Sequence, residues 1–106
     1  MVADWRYAGS LDDIWAGEMR AVSLGTLGVL LCNLDGMLFA YENRCPHLAY
    51  PLSEGALSDC VLTCAAHEWQ FDMRTGRGVN PASACLHRYP VWLDGLGIFV
   101  DVGEDE

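Results

Sequence analysis

Lysine is absent from this chain of 106 residues; its six cations are all arginines, set against 15 acidic residues for a formal net charge of −9. So acidic a surface repels nucleic acid and anionic membrane, which excludes both as partners and leaves proteins with basic docking faces. Long apolar runs are missing as well. The longest, around Val29–Cys32, falls far short of the ~20 residues of a membrane span. Residues 1–10 carry neither the basic region nor the apolar stretch of a secretion signal. The expected location is therefore the cytoplasm. There are no internal repeats and no linker, and domains usually run to ~100–150 residues, so residues 1–106 are expected to form one domain and a monomer. Hydrophobic residues make up 52% and charged residues 20%, which supplies a core and excludes a disordered chain.

What is present reads as short strands divided by turn residues. Ser10-Leu-Asp-Asp13 sets a capping hydroxyl before two carboxylates and suits one helical turn. Residues 18–24 alternate like a half-buried strand, and 27–34 read as a more deeply buried one. Asp35-Gly36 then marks a tight hairpin, with 37–41 returning. Residues 89–93 and 97–102 pair around Asp94-Gly95, and 61–63 and 69–73 are shorter candidates. Strands at this spacing indicate an all-β sandwich or barrel rather than βαβ units. Residues 43–55 and 76–83 show no periodicity and are expected to be irregular loops, where binding chemistry tends to sit.

The five cysteines are an odd number, which argues against a disulfide framework and for metal or chemistry. Two of them stand beside histidines: Cys45-Pro46-His47, then, sixteen residues on, Cys64-Ala65-Ala66-His67. Three chemistries could use this set. Tetrahedral zinc accepts two cysteines and two histidines, but its usual knuckles pair like with like. A Cys–His nucleophile needs only one of each and leaves the second loop unexplained. A Rieske-type two-iron, two-sulfide cluster places two cysteines on one iron and two histidines on the other, and one of each per loop fits that division best. Cys85-Leu86-His87 repeats the first spacing and could in principle replace the first loop. The plainer reading makes Cys85 a small buried hydrophobe and His87 a surface residue. Cys32 and Cys60 are expected in the core, and Trp5, Trp15 and Trp92 in the core or on strand faces. Asp12, Asp13, Glu18, Glu54 and Glu68 are expected to be solvated.

The two ligand motifs resemble those of Rieske proteins. Together with residues 10–19, Leu52-Ser-Glu-Gly55, His67-Glu-Trp69, Thr75-Gly76, Asn80-Pro81 and Tyr89-Pro-Val91, they resemble the small Rieske ferredoxins of bacterial toluene and related aromatic monooxygenases. The resemblance implies an all-β Rieske domain with cluster-binding loops at about 43–55 and 62–83. It implies one 2Fe-2S cluster, with Cys45 and Cys64 on the buried iron and His47 and His67 on the iron nearer the surface. It also implies an electron carrier without catalysis of its own, serving an NADH-dependent flavin reductase and a diiron hydroxylase. Pro46, Leu48, Ala65, Ala66 and Trp69 would form the docking rim. The ferredoxin of a Rieske dioxygenase system, and a zinc-stabilised interaction module, are the alternatives. Where the respiratory branch has a loop-to-loop disulfide, this chain has Tyr50 and Ala66. Where that branch has a serine and a tyrosine hydroxyl donating to the cluster, it has Trp69 and Phe71. Fewer hydrogen bonds to sulfur disfavour the reduced state, so a potential near the low end of the Rieske range, about −150 mV, is expected.

Overall fold

A computed structural model describes residues 3–46, 50–65 and 68–103. In chain order the strands are β1 (Trp5–Ser10), β2 (Met19–Leu24), β3 (Leu27–Leu34), β4 (Met37–Glu42), β5 (Ala56–Ser58), β6 (Val61–Thr63), β7 (Gln70–Asp72), β8 (Arg77–Asn80), β9 (Arg88–Tyr89), β10 (Val91–Asp94) and β11 (Gly97–Asp101). Single 3-10 turns occupy Leu11–Asp13 and Leu52–Glu54. In the first of these, Ser10 Oγ accepts from the Asp12 N–H at 3.2 Å, the cap expected there. The strands form three antiparallel sheets, ordered β1-β11-β10, β2-β3-β4-β9 and β5-β6-β7-β8. Among the described residues no helix is long and apolar enough to cross a membrane.

β3 organises the layers. Its residues from Val29 to Leu34 are all buried, because both faces of its sheet are covered. Leu30, Cys32 and Leu34 point into one core with Leu62, Phe71 and Met73 of the β5–β8 side. Val29 and Leu31 point into the other, with Ala8, Ile98 and Val100 of the β1-β11-β10 sheet. The β2-β3-β4-β9 sheet is thus the middle layer of three. The β3–β4 hairpin turns through Asp35 and Gly36, both at positive φ (58° and 95°), which matches the right-handed strand twist. Buried Asn33 secures it, accepting from Gly36 N and donating to Ile14 O, each at 2.9 Å.

Two segments differ from expectation. Residues 89–93 are not one strand: Tyr89 pairs with Ala40 in the middle sheet, and Val91 with Val100 in the outer one. Pro90 stands between them and has no N–H to continue either ladder. Residues 76–83 are not wholly irregular either, since β8 pairs with β7. Its sequence, Arg-Gly-Val-Asn, is exposed or half-buried throughout and carries no alternation to betray a strand.

Candidate metal centre

Cys45 follows β4 and Cys64 follows β6, and both are buried, at 2% and 1% exposure. Each opens a loop that closes in the same way. The Cys45 N–H donates to Tyr50 O at 2.8 Å, and the Cys64 N–H donates to Trp69 O at 2.7 Å, five residues on in each case. The second loop is drawn tighter by a bond from Glu68 N–H to Cys64 O (3.0 Å), which holds Glu68 at φ 60°. Two matching loops thus present two thiols to one core cluster, with Leu52, Leu62, Phe71 and Met73 around them. Burial in such surroundings keeps water away from both sulfurs. Among the described cysteines none is in a disulfide.

The loops are fixed from below by residues that carry no metal chemistry. Asn43 accepts from Ser53 N–H at 2.9 Å and donates to Ser53 Oγ at 3.1 Å, drawing the first loop closed. Gly55 lies against the second loop: a β-carbon there would collide with the Thr63 carbonyl oxygen and sit 3.3 Å from Cys64 Cα. Tyr41, from the middle sheet, donates its hydroxyl to Met73 O at 2.7 Å. Burial, ahead of nearby charges, pushes that phenol up to about 12. Gly76 passes so close to the Tyr41 ring that a β-carbon would stand 2.9 Å from Cε1. Sequence reasoning missed these contacts. Only Leu52-Ser-Glu-Gly55 and Thr75-Gly76 pointed toward them, as parts of a family pattern.

Of the expected site residues, His47 and His67 lie outside the described residues, as do Leu48 and Ala66 of the docking rim. Pro46 and Ala65 are exposed beside the two buried thiols, and half-buried Trp69 packs against their core. Its ring stands 6.5 Å from that of Phe71, which is fully buried. The solvated carboxylates Asp12, Asp13, Glu18, Glu54 and Glu68 are all exposed, as expected. Trp5 and Trp92 lie on a strand face, whereas Trp15 is 72% exposed in the turn after Leu11–Asp13, not in the core.

The other cysteines divide. Cys32 is fully buried, and desolvation pushes its thiol up to about 12, which leaves it inert. Cys60 is half-buried at a positive-φ turn (67°) and packs on the edge of the core. Cys85 is exposed rather than buried, because Leu86 takes the inward position next to it. His87 is exposed as expected and meets the Tyr89 ring edge-on at 4.8 Å.

A family model described as the Rieske 2Fe-2S domain matches residues 4–90. The ferredoxin component of the alkene monooxygenase system of Xanthobacter autotrophicus is 45% identical over 92 residues, 86% of this chain and 75% of that protein. The ferredoxin component of biphenyl 2,3-dioxygenase of Rhodococcus jostii is 37% identical over 94 residues, 88% of each. Among solved structures, a chain of the complex of reduced oxygenase and oxidised ferredoxin in carbazole 1,9a-dioxygenase superposes with a TM-score of 0.85. The identity is 26%, over 96% of this chain and 95% of that one.

Proposed function

The chain belongs to the Rieske 2Fe-2S domain family, and from that premise we propose that it is a one-electron carrier to the oxygenase of a multicomponent hydrocarbon monooxygenase. The observation that carries the reading is the pair of buried thiols, Cys45 and Cys64, on loops closed by the same backbone bond. When bound, a Rieske cluster supplies a one-electron couple at a site with no substrate of its own. Cys45 and Cys64 would hold one iron, and His47 and His67 the other. Around them, Leu52, Phe71 and Met73 exclude water, while Pro46, Ala65 and Trp69 offer partners an apolar rim.

In this reading the chain acts as one cytoplasmic domain, taking electrons from an NADH-dependent flavin reductase and passing them to a diiron hydroxylase. The 45% identity to an alkene monooxygenase component supports the monooxygenase branch. The biphenyl dioxygenase component, at 37%, supports a second reading in which the acceptor is a Rieske dioxygenase. Adjacent genes for a diiron hydroxylase and a small effector protein separate the two. Supplying the reconstituted system with toluene and with an alkene tests the aromatic substrate class.

Purified protein is expected to be red-brown, to hold iron and acid-labile sulfide in equal amounts, and to give a Rieske-type EPR signal on reduction. Colourless protein with one zinc contradicts the proposal. With Trp69 and Phe71 offering no hydroxyl, the midpoint is expected near the low end of the Rieske range, about −150 mV. A value above about +100 mV overturns that part of it.

A further inference from the structure

The outer sheet carries a feature that electron carriage through the cysteine loops does not use. Ile98 and Val100 of β11 point inward and are fully buried, so Gly97, Phe99 and Asp101 point out. Tyr7 and Trp92 flank Phe99 on the neighbouring strands, and Trp5 stands opposite Asp101. The four rings form a continuous row, with centroids 5.5 Å (Tyr7–Phe99), 5.6 Å (Phe99–Trp92) and 6.1 Å (Trp92–Trp5) apart. Trp5, Tyr7 and Trp92 are nonetheless 42%, 60% and 52% exposed. Contiguous exposed aromatics of this kind mark interaction surfaces, and Trp and Tyr lead among residues that dominate binding energy.

The charge on this face has one sign. Asp94 lies opposite Gly97 and Asp101 opposite Trp5, so both carboxylates border the rings. The nearby cation, Arg6, lies opposite inward-facing Val100 and is bound to Asp4 at 2.9 Å. A second copy would bring its own Asp94 and Asp101 against these carboxylates, whereas guanidinium and ammonium groups satisfy both the carboxylates and the ring faces. The face is also remote from the thiols. The middle sheet lies between, which at ~10 Å per packed sheet puts it about 20 Å away.

We propose that this face is a second docking surface, which seats an arginine- or lysine-bearing patch of the oxygenase component and holds the carrier without taking part in electron transfer. The inference rests on the carrier reading above, and the oxygenase is chosen because a ferredoxin relative of similar fold is complexed with one. When one oxygenase engages this face and the rim at the cysteine loops together, the carrier is held more tightly than by the rim alone.

The test uses cluster-loaded protein and the purified oxygenase component of its own system. Trp5→Ser/Trp92→Ser, with Trp92→Ser alone and Asp94→Lys as second and third variants, is compared with Trp15→Ser, an exposed tryptophan off this face. Expected is at least a tenfold rise in the ferredoxin concentration giving half-maximal transfer for the double variant. The saturating rate and EPR signal should be unchanged, and Trp15→Ser should behave as wild type. Unchanged half-saturation in all three face variants overturns the proposal, as does a saturating rate that falls with it. A wild-type dimer that Trp92→Ser dissolves, seen by light scattering, assigns the face to a second copy instead. If wild-type protein reduces no oxygenase at all, the carrier reading falls and this inference with it; normal transfer with unaltered affinity removes this inference alone.

Discussion

The middle sheet and the β5-β6-β7-β8 sheet are both four-stranded and antiparallel, yet they are held together differently. β2, β3 and β4 run six to eight residues, and β3 fills two cores with alternate side chains. The strands bearing the second cysteine loop run three or four residues, too few for a pattern of burial to fix them. They are instead pinned at points. Gly55 and Gly78 let backbones approach where no β-carbon fits, and the Tyr41 hydroxyl reaches across from the middle sheet. A long strand specifies its place by periodicity, whereas a small site-bearing sheet depends on a few atoms outside the site.

The largest effects should fall on the site itself. Cys64→Ser is expected to abolish the cluster, read as loss of visible absorption, iron and sulfide. Cys32→Ala, one layer away in β3, should keep the spectrum and cost stability only, about 1–2 kcal/mol for a small core deletion. If both lose the cluster, the division between scaffold and site is wrong.

Next come the pins. Gly78→Ala would push a β-carbon into the Pro81 carbonyl oxygen and to 3.0 Å from Ala84 O, and Gly55→Ala into Thr63 O. Each is expected to cost ~4 kcal/mol or more in denaturant unfolding. Gly36→Ala, at φ 95° but with open space around it, should cost only ~1–2 kcal/mol. Equal losses would remove the contrast between backbone approach and backbone conformation. Tyr41→Phe follows. It leaves Met73 O without its buried donor, at about 1–3 kcal/mol. For a chain of this size that lowers the melting temperature by ~4–8 °C per kcal/mol.

The same difference explains what the residues disclosed. β3 was legible because the apolar run Val29–Cys32 lies between turn residues, and Asp35-Gly36 named its hairpin. β8 was hidden because its position is set by backbone proximity at Gly78, which no side-chain pattern reports. Of the site, Cys45 and Cys64 were legible as motif members, and the structure buries both in one core. The Tyr41–Met73 bond joins residues 32 apart, and no local spacing signals it. Cys85 misled because its C-x-H spacing says nothing of which neighbour, here Leu86, takes the buried position.

The smallest effect, nil at neutral pH, would locate the alkaline weakness of each region. Cys32 in the middle sheet and Tyr41 at its junction with the site both have acidities suppressed by burial, from 9.0 and 10.0 to about 12. A group whose folded pKa is raised contributes stability below its unfolded pKa, and that contribution is lost as pH climbs through the folded value. Stability should therefore hold up to pH 9, then fall by at most ~1.4 kcal/mol per pH unit as Cys32 begins to favour the unfolded chain, and more steeply above pH 10 as Tyr41 joins it. Unfolding of Cys32→Ala followed by urea from pH 8 to 11 should show the first slope removed. Tyr41→Phe should keep the first slope and lose the added steepness. An unchanged profile in both would mean that burial at the junction of the two sheets is looser than the packing around Leu30, Cys32 and Tyr41 describes.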